Sequence, residues 1–432
     1  MKVMAGYKQT EVGIIPEEWE NITVQNLVNE NVLAKPLDGN HGSIHPKSSD
    51  YVHYGIPFVM ANNFTNGKVD FGSCKFITKE RADKLQKGFS ISGDVLLTHK
   101  GTIGNTAIVG ELSTEYIMLT PQVTYYRVID STRLSNCYLR QYFDSQPFQS
   151  LFKSLAGGGT RAYLGIVKQL ALPVVVPPLP EQRAIAEALS DTDTLLEGLD
   201  RLIAKNRNLK QAAMQQLLTG QTRLPGFIEE WEQKTLGNHV TFLRNGVNSR
   251  AELRPEGRVK YLHYGDIHAC TDVFISPNSL PCLPDVKSVS LGRLCDGDLI
   301  FADASEDLTG VSKSVEMREV GNTVVVPGLH TIAARFDKAV LADGFKGFLQ
   351  FCPPFARHLR RLAAGTKVYA TNRAHIASVE IRLPGVAEQV AIAAVLSDMD
   401  AALVALEARR DKTRDLKQAM MQELLTGKTR LI

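Results

Sequence analysis

Apolar residues in two distant segments of the chain recur at steps that alternate between four and three residues or add to seven. The first series is Ile185, Leu189, Leu196, Leu199 and Ile203, continuing through Leu209, Ala213 and Leu217. The second series is Ile392, Leu396, Met399, Leu403 and Leu406, continuing through Leu416, Met420 and Leu424. Polar residues (Asn206 in the first segment, Arg410 and Thr413 in the second) interrupt each series before the apolar residues resume. This spacing places a narrow apolar seam on one side of a helix and is typical of coiled coils. The pattern therefore predicts two long helices that each need a partner.

The two helical segments are copies of each other. Residues 181–224 align without gaps on residues 388–431, and 26 of the 44 aligned pairs are identical. Both copies begin with Glu-Gln and end with Thr-Arg-Leu, whereas unrelated segments would match at only a few positions. A shorter match places Trp19 and Trp231 at equivalent points ahead of each variable region. The chain therefore contains an internal duplication.

The duplication predicts four segments. Residues 1–176 form a first variable domain, 177–222 a first long helix, 223–383 a second variable domain and 384–432 a second long helix. Because the seams match, we expect the helices to pair antiparallel as a rigid spacer between the domains. The alternative is that each helix packs against its own domain.

Short β-rich stretches recur in both variable domains. They fall at 56–60, 95–98, 107–109, 122–128 and 174–176 in the first domain, and at 259–264, 298–301, 323–326, 330–336 and 379–383 in the second. Helix candidates at 137–154 and 345–362 lie among them, between turns rich in glycine and asparagine. The predicted fold class is α+β, with two mixed α/β domains joined by two long helices that form an antiparallel coiled coil.

Composition narrows the class of protein. The net charge is only +3, whereas nucleic-acid-binding domains are usually strongly basic. No apolar run approaches the ~18 residues of a membrane span, and the N-terminus lacks the apolar stretch of a signal peptide. The six cysteines are scattered without a C-x-x-C pair, so no metal site is expected. These observations favour a cytoplasmic protein with reduced thiols.

Several loops of the variable domains carry side chains that suit nucleic acid. Arginine and lysine match phosphate oxygens and guanine edges, and asparagine matches adenine edges. The residues predicted to contact DNA on this chemistry are Lys100, Thr102, Asn105, Thr160, Arg161, Arg244, Asn245, Asn248, Arg250, Lys367, Tyr369, Asn372 and Arg373.

No catalytic residue is predicted. Gly427-Lys428-Thr429 resembles the end of a phosphate-binding loop, but Gln422 occupies the position of the required glycine. The stretch Cys-Pro-Pro-Phe at 352–355 resembles an amino-methyltransferase loop, but cysteine is a poor acceptor for the hydrogen bond from a target amino group.

The repeated segment and the order of the domains resemble the specificity subunit of type I restriction–modification enzymes. The first copy reads Pro-Pro-Leu-Pro-Glu-Gln at 177–182 and ends Leu-Leu-Thr-Gly at 217–220. The second copy departs slightly, with Leu-Pro-Gly-Val-Ala-Glu-Gln at 383–389. The resemblance covers essentially the whole chain.

This resemblance implies a DNA reader without an active site of its own. Each variable domain would be a target recognition domain for one half of a bipartite site, and the divergence of the domains implies an asymmetric site. The helix pair would set the gap between the halves and dock two methyltransferase subunits, and restriction subunits would complete the complex. S-adenosylmethionine, ATP and Mg²⁺ would bind to those partner subunits and not to this chain.

Two other classes of function stay open. The chain could be a divergent DNA methyltransferase that acts alone, which binding of the methyl donor would reveal. It could also be a coiled-coil interaction protein without a role on DNA.

Overall fold

A computed structural model of the chain describes residues 5–157, 162–308, 310–363 and 368–431. The chain divides into two compact units, and each of them contains part of both repeated segments. Unit 1 comprises Met1–Arg201 and Glu407–Ile432, and unit 2 comprises Leu202–Leu406.

Unit 1 combines short strands with short helices. Its strands are β1 (Tyr7–Thr10), β2 (Gly13–Pro16), β3 (Glu20–Thr23), β4 (Leu37–Asp38), β5 (Tyr51–Val52), β6 (Ile56–Val59), β7 (Phe64–Thr65), β8 (Lys68–Val69), β9 (Lys75–Ile77), β10 (Phe89–Ser90), β11 (Val95–Lys100), β12 (Thr102–Ile108), β13 (Ile117–Leu119), β14 (Val123–Tyr126) and β15 (Pro173–Val176). Its helices are α1 (Val24–Asn29), α2 (Lys79–Ala82), α3 (Asn136–Asp144), α4 (Gln146–Ala156), α5 (Ile166–Gln169) and the first part of the long α6 (Leu179–Leu217).

The strand β11 is central to unit 1. It lies in a sheet of order β4-β14-β11-β12-β8-β7, and a second sheet has the order β10-β13-β6-β9-β5. Val95 and Leu97 pack into one buried cluster, whereas Leu96 packs into another. Because successive strand residues point to opposite faces, an uninterrupted apolar run marks a strand that is covered on both sides. The apolar run therefore predicts this strand, because it indicates burial on both faces.

Unit 2 repeats this plan with different loops. Its strands are β16 (Glu232–Thr235), β17 (Val240–Phe242), β18 (Val259–Leu262), β19 (Phe274–Ile275), β20 (Cys282–Leu283), β21 (Leu299–Ala302), β22 (Ala304–Ser305), β23 (Ser314–Met317), β24 (Val324–Pro327), β25 (Thr331–Phe336), β26 (Tyr369–Ala370) and β27 (Glu380–Leu383). Its helices are α7 (Tyr264–Ala269), α8 (Pro353–Leu362), α9 (Arg373–Ala377) and the first part of the long α10 (Val386–Leu424). The main sheet has the order β17-β25-β21-β23-β19, and a smaller one has the order β20-β18-β24.

Three predicted elements differ from the structure. The helix predicted at 345–362 is a 3-10 helix over Lys346–Phe351 that is followed, after Cys352, by α8. Tyr264 was predicted to end a strand but begins α7, because Nδ1 of His263 accepts a hydrogen bond from Gly265 N (3.1 Å) and caps the helix. The helix predicted at 137–154 is two helices, since Ser145 ends α3 and caps α4.

The two long helices run antiparallel to each other within each unit. Both α6 and α10 have 39 residues, which corresponds to about 58 Å at ~1.5 Å per residue. In unit 1, Asp193 pairs with Lys417 (2.6 Å) and Asp200 lies 3.8 Å from Arg410, so one residue number rises as the other falls. In unit 2, Lys210 pairs with Asp400 in the same register. The antiparallel helix pair predicted from the seams is therefore confirmed.

Most residues of the predicted seam are buried or half-buried. The buried ones are Ile185, Leu189, Leu199, Ile203, Ile392, Leu396 and Leu403, and the half-buried ones are Leu196, Met399 and Leu406. The continuation of the seam through Leu209 and Leu416 is wrong, because these side chains are 49% and 57% exposed. Leu209 and Leu416 stand one position before Lys210 and Lys417, which keep the seven-residue spacing from Ile203 and Leu403. These two lysines are only 17% exposed and form ion pairs with the other helix, so they occupy the seam instead.

The repeated Glu-Gln and Thr-Arg-Leu motifs meet in each unit. In unit 1, Arg430 near the end of the chain forms a bidentate ion pair with Glu181 at the start of α6 (2.6 and 2.7 Å). In unit 2, Arg223 just beyond α6 forms the same pair with Glu388 at the start of α10 (2.5 and 2.6 Å). In each unit, an ion pair thus joins the beginning of one repeat to the end of the other.

The glutamine of each motif joins the helix to the rest of its unit. The Gln182 side chain accepts a hydrogen bond from Ser135 N (2.9 Å) and donates to the carbonyl oxygens of Arg133 and Pro177 (both 2.8 Å). Gln389 makes the equivalent bonds to Ala342, Val340 and Pro384 in unit 2. Both glutamines are fully buried, so these bonds hold the helix start to backbone groups.

Helix α10 contains a stretch that is more apolar than the sequence analysis predicts. An 18-residue window of α10 reaches a mean hydropathy of 1.7, enough in length and composition to cross a membrane. The buried residues Ile392, Ala393 and Leu396 of this helix pack in the core of unit 2 instead.

Candidate nucleic-acid interface

The hairpin of β11 and β12 carries the predicted DNA contacts of unit 1. Lys100 and Thr102 flank Gly101, whose φ of 76° makes the tight turn, and both side chains are exposed. The Lys100 ammonium lies 6.0 Å from the ring centroid of Tyr163, so the hairpin tip lies beside the segment that leads into α5. Asn105 is exposed farther along β12. Thr160 and Arg161 lie outside the described residues.

A buried histidine, His99, lies at the base of this hairpin. His99 is fully buried, and its Nδ1 lies 3.0 Å from the carbonyl oxygen of Leu164. Its Nε2 lies 3.9 Å from the Asp38 carboxylate, which also contacts His41 (2.8 Å) and Lys87. Burial alone would raise the pKa of Asp38, but the hydrogen bonds from Lys87 and His41 outweigh it and lower that pKa. The Asp38 carboxylate beside the base of the hairpin is therefore held by Lys87 and His41.

In unit 2, two predicted contacts from distant loops meet. Nη2 of Arg373, the first residue of α9, donates to the carbonyl oxygen of Leu243 (2.8 Å) and to Oδ1 of Asn245 (3.3 Å). The same guanidinium lies 5.8 Å from the ring centroid of Phe242. Arg244 is exposed next to them. The arginine is thus held in one orientation, while the rest of its guanidinium can take a further acceptor.

Other predicted contacts of unit 2 already have partners within the protein. Asn248 donates to Glu252 (3.0 Å), and Arg250 forms an ion pair with Asp266. Asn372 caps α9 by accepting from His375 N (2.9 Å). Tyr369 is half-buried in β26, and Lys367 lies outside the described residues.

Sequence reasoning missed a cluster of rings that borders the same loops. The rings of His268 and His330 lie edge-on to Tyr264, with centroid distances of 6.0 and 5.5 Å. They line a cavity of about 540 Å³ together with Ser305 and Glu306. His330 has a φ of 56°, uncommon for a residue other than glycine, and contacts Asp303 at 3.1 Å. The histidines are visible in the sequence, but nothing local indicates that helix α7 brings Tyr264 between them.

Corresponding positions of the two units carry different chemistry. Leu164 N donates to the carbonyl oxygen of His99 (3.0 Å), and Thr371 N donates to that of Asp303 (2.8 Å). The basic pair His99-Lys100 in unit 1 therefore corresponds to Asp303-Ala304 in unit 2. The residues that open the following short helix also differ, with Gly165-Ile166 in unit 1 and Asn372-Arg373 in unit 2.

The surface offers recognition chemistry more readily than catalysis. Arginine, asparagine and tyrosine present donors, and Asp303 and Glu306 present acceptors, which is the mixture needed to distinguish base edges. Burial raises the pKa of the Cys352 thiol to about 11, so this cysteine is a poor nucleophile. Across the described ranges, no group of three or more histidine, cysteine, aspartate or glutamate side chains could hold a metal ion.

Comparison with known proteins shows what the chain as a whole is similar to. Residues 16–205 match the family model of the type I restriction modification DNA specificity domain. The MjaX type I restriction enzyme specificity subunit of Methanocaldococcus jannaschii is 23% identical, over 98% of this chain and 97% of that protein. The EcoKI specificity subunit of Escherichia coli is 24% identical, over 88% of this chain and 82% of its own.

Solved structures show the same fold. The S subunit of a type I restriction–modification system from M. genitalium has a TM-score of 0.57 at 14% identity, covering 98% of both chains. A chain from a structure describing complex assembly of the type I R-M system has a TM-score of 0.58 at 16% identity, covering 96% of this chain and 99% of that one. Over nearly its whole length, the chain is therefore similar to specificity subunits of type I restriction–modification systems.

Proposed function

We propose that this chain recognises a bipartite, asymmetric DNA sequence and that each unit reads one half of it. The observation that carries the proposal is the meeting of Arg373 and Asn245 on unit 2, from loops 128 residues apart in the chain. An arginine held by two acceptors and an aromatic ring is preorganised, so binding a base edge costs it little conformational entropy. Bidentate contacts from arginine to guanine and from asparagine to adenine are the strongest means of reading a base pair in the major groove.

The asymmetry follows from the different residues of the two units. The hairpin tip of unit 1 presents Lys100 and Thr102, whereas unit 2 has Asp303 and Ala304 after the corresponding strand. Aspartate accepts hydrogen bonds and lysine donates them, so the two surfaces favour different base edges. Two unlike half-sites are therefore expected.

The long helices suit the docking of methyltransferase subunits. In unit 2, the α6 residues Leu202 and Leu209 are 43% and 49% exposed and lie seven residues apart. Leucines at that spacing lie on one side of a helix and fit the seam of a further helix. We infer that two methyltransferase subunits bind the helix pair, that restriction subunits join them, and that the complex works in the cytoplasm on the cell's DNA.

In this proposal, the partner subunits bind the cofactors and catalyse the reactions. S-adenosylmethionine would bind to the methyltransferase subunits, and ATP and Mg²⁺ to the restriction subunits. This chain would contribute recognition and position alone, as a subunit without an active site.

Co-expression with a methyltransferase subunit of a type I system from the same organism tests the proposal. In a host without other DNA modification, sequencing of methylated bases should find one bipartite motif with two different halves. The chain expressed alone should leave DNA unmodified, and methylation in that control would favour a methyltransferase that acts by itself. Methylation without a motif, or no methylation by a folded complex, would contradict the proposal.

A further inference from the structure

Helix α8 of unit 2 presents a basic face that no motif in the sequence indicated. Arg357, Arg360 and Arg361 are exposed, whereas Phe355 and Leu359 are buried on the opposite side. The helix contains no acidic residue, and none of the three arginines forms an ion pair with a residue that the structure describes. These positive charges are therefore available to a partner.

Helix stability does not account for the whole of this face. Cations in the last turn interact favourably with the helix dipole, which explains Arg360 and Arg361 in part. Arg357 lies in the middle of the helix, where the dipole gives little stabilisation. Among the residues that the structure describes, its Nε donates only to the carbonyl oxygen of Pro353 in the preceding turn (3.2 Å).

Helix α8 lies between two parts of the candidate interface. On one side, Nε2 of His358 contacts the Ser378 hydroxyl (3.0 Å), which joins α8 to helix α9 and hence to Arg373. On the other side, Arg360 lines a cavity with His268 and Lys313, and His268 belongs to the ring cluster around Tyr264. The basic face therefore borders both the Arg373 loop and the ring cluster.

The corresponding helix of unit 1 lacks most of this charge. The Pro-Phe pair near the start of α4 matches the one near the start of α8, which aligns Ser150 with Arg357 and Ser154 with Arg361. Both serines are exposed, and Lys153 is the one basic residue of α4. The same backbone element thus supports two more positive charges in unit 2, so the fold itself does not require them.

We propose that the basic face of α8 binds the sugar-phosphate backbone of duplex DNA beside the half-site read by unit 2. This inference rests on the proposed function of the chain. Phosphate contacts set the orientation and affinity of a protein on DNA but carry no sequence information. The unit 2 half-site then contributes more of the salt-dependent binding than the unit 1 half-site does.

The double variant Arg357→Ser, Arg361→Ser tests this, because it gives α8 the residues that α4 carries. The complex with methyltransferase subunits is titrated with a duplex containing its methylated motif and with a scrambled duplex, across about 50 to 200 mM salt. Each lost phosphate contact lowers the log–log salt slope by about 0.9, so the slope should become shallower by about 2 on both duplexes. The methylated motif should not change.

The variant Arg357→Lys, Arg361→Lys is the control, since it keeps the charge and should keep the slope. An unchanged slope in the serine variant would overturn the inference, and so would a loss confined to the motif duplex, which indicates base reading. Loss of co-purification with the methyltransferase subunit at an unchanged slope would assign the face to an acidic protein surface. A wild-type complex that methylates no motif would instead refute the proposed function.

Discussion

Glu181 and Arg430, which stand 249 positions apart, form the ion pair that closes unit 1. Glu181 is only 3% exposed and also accepts a hydrogen bond from the Trp19 indole (3.0 Å). The equivalent carboxylate of unit 2, Glu388, is equally buried and pairs with Arg223. Each repeat therefore supplies the acid of one unit and the arginine of the other, so neither repeat completes a unit alone.

Replacing Arg430 by alanine should destabilise unit 1 selectively. The change leaves the Glu181 carboxylate buried with the Trp19 indole as its remaining donor, and removing one partner of a buried pair costs about 3–5 kcal/mol. Because Arg430 is partly exposed, we expect about 2–3 kcal/mol after allowing for solvent screening. The chain has 2 tryptophans, so urea unfolding followed by Trp19 fluorescence in a Trp231→Phe background measures unit 1.

Arg223→Ala in the same background is the matched control. It breaks the equivalent pair in unit 2, so the Trp19 transition should keep its midpoint. Equal shifts from both variants would mean that the two ion pairs do not act on separate units.

Gln182 and Gln389 should be as sensitive as the ion pairs. Replacing either by leucine removes three hydrogen bonds to a backbone N–H and two carbonyl groups, which are buried or partly buried. Each unsatisfied group costs about 1–3 kcal/mol, so we expect a loss of about 3 kcal/mol or more in the unit concerned. Calorimetry should show a lower melting temperature than for Gln25→Leu, which changes an exposed glutamine. Indistinguishable melting temperatures would contradict this role.

The buried His99 should make the stability of unit 1 depend on pH. Burial lowers the pKa of His99, whereas the unfolded chain binds this proton at its ordinary pKa of 6.5. Stability from this group is therefore complete above pH 6.5 and falls below it, by up to about 1.4 kcal/mol per pH unit. His99→Asn preserves an N–H donor for Leu164 but does not titrate.

The variant should be less stable than the wild type near neutral pH, and this difference should shrink as the pH falls toward about 5. Urea midpoints of the Trp19 transition measure it. A difference that stays constant with pH would show that His99 does not carry the effect.

Arg373 should contribute specificity as well as affinity. We expect Arg373→Ala to weaken binding of the methylated motif by about 1–3 kcal/mol, or roughly 5- to 150-fold. Arg373→Lys keeps the charge but cannot form the bidentate contact, so it should relax the motif at one position in the half read by unit 2. Competition binding against duplexes that differ from the motif at one base pair each measures both effects. Equal losses of affinity on all duplexes would indicate that Arg373 contacts phosphate and not a base.

Local patterns predicted the regular part of this molecule. The spacing of apolar residues predicted both long helices, and the repeat predicted that their ends are equivalent. Runs such as Val95-Leu96-Leu97 predicted the central strands, because they reflect burial on both faces. The resemblance of the repeated segment to a known family supplied the function.

The remaining features depend on contacts between residues far apart in the chain. Nothing near Glu181 indicates Arg430 as its partner, and nothing near Tyr264 indicates that the ring of His330 lies edge-on to it. Leu209 and Leu416 were predicted in the seam because they are apolar, although the seven-residue spacing from Ile203 and Leu403 leads to Lys210 and Lys417. The DNA contacts in the loops were predicted from side-chain chemistry alone. Asn372 and Asn248 were therefore among the predicted contacts, although their side chains have partners within the protein.

The central claim is that each unit reads one half of a bipartite site, and an exchange of one unit's loops tests it most directly. Residues 226–383, which include both Asn245 and Arg373, are replaced by the corresponding region of a relative with a different methylated motif, and methylated bases are sequenced after co-expression with the methyltransferase subunit. We expect one half of the motif to change to that of the relative while the other half and the gap stay the same. A change in both halves, or in neither half, would contradict it.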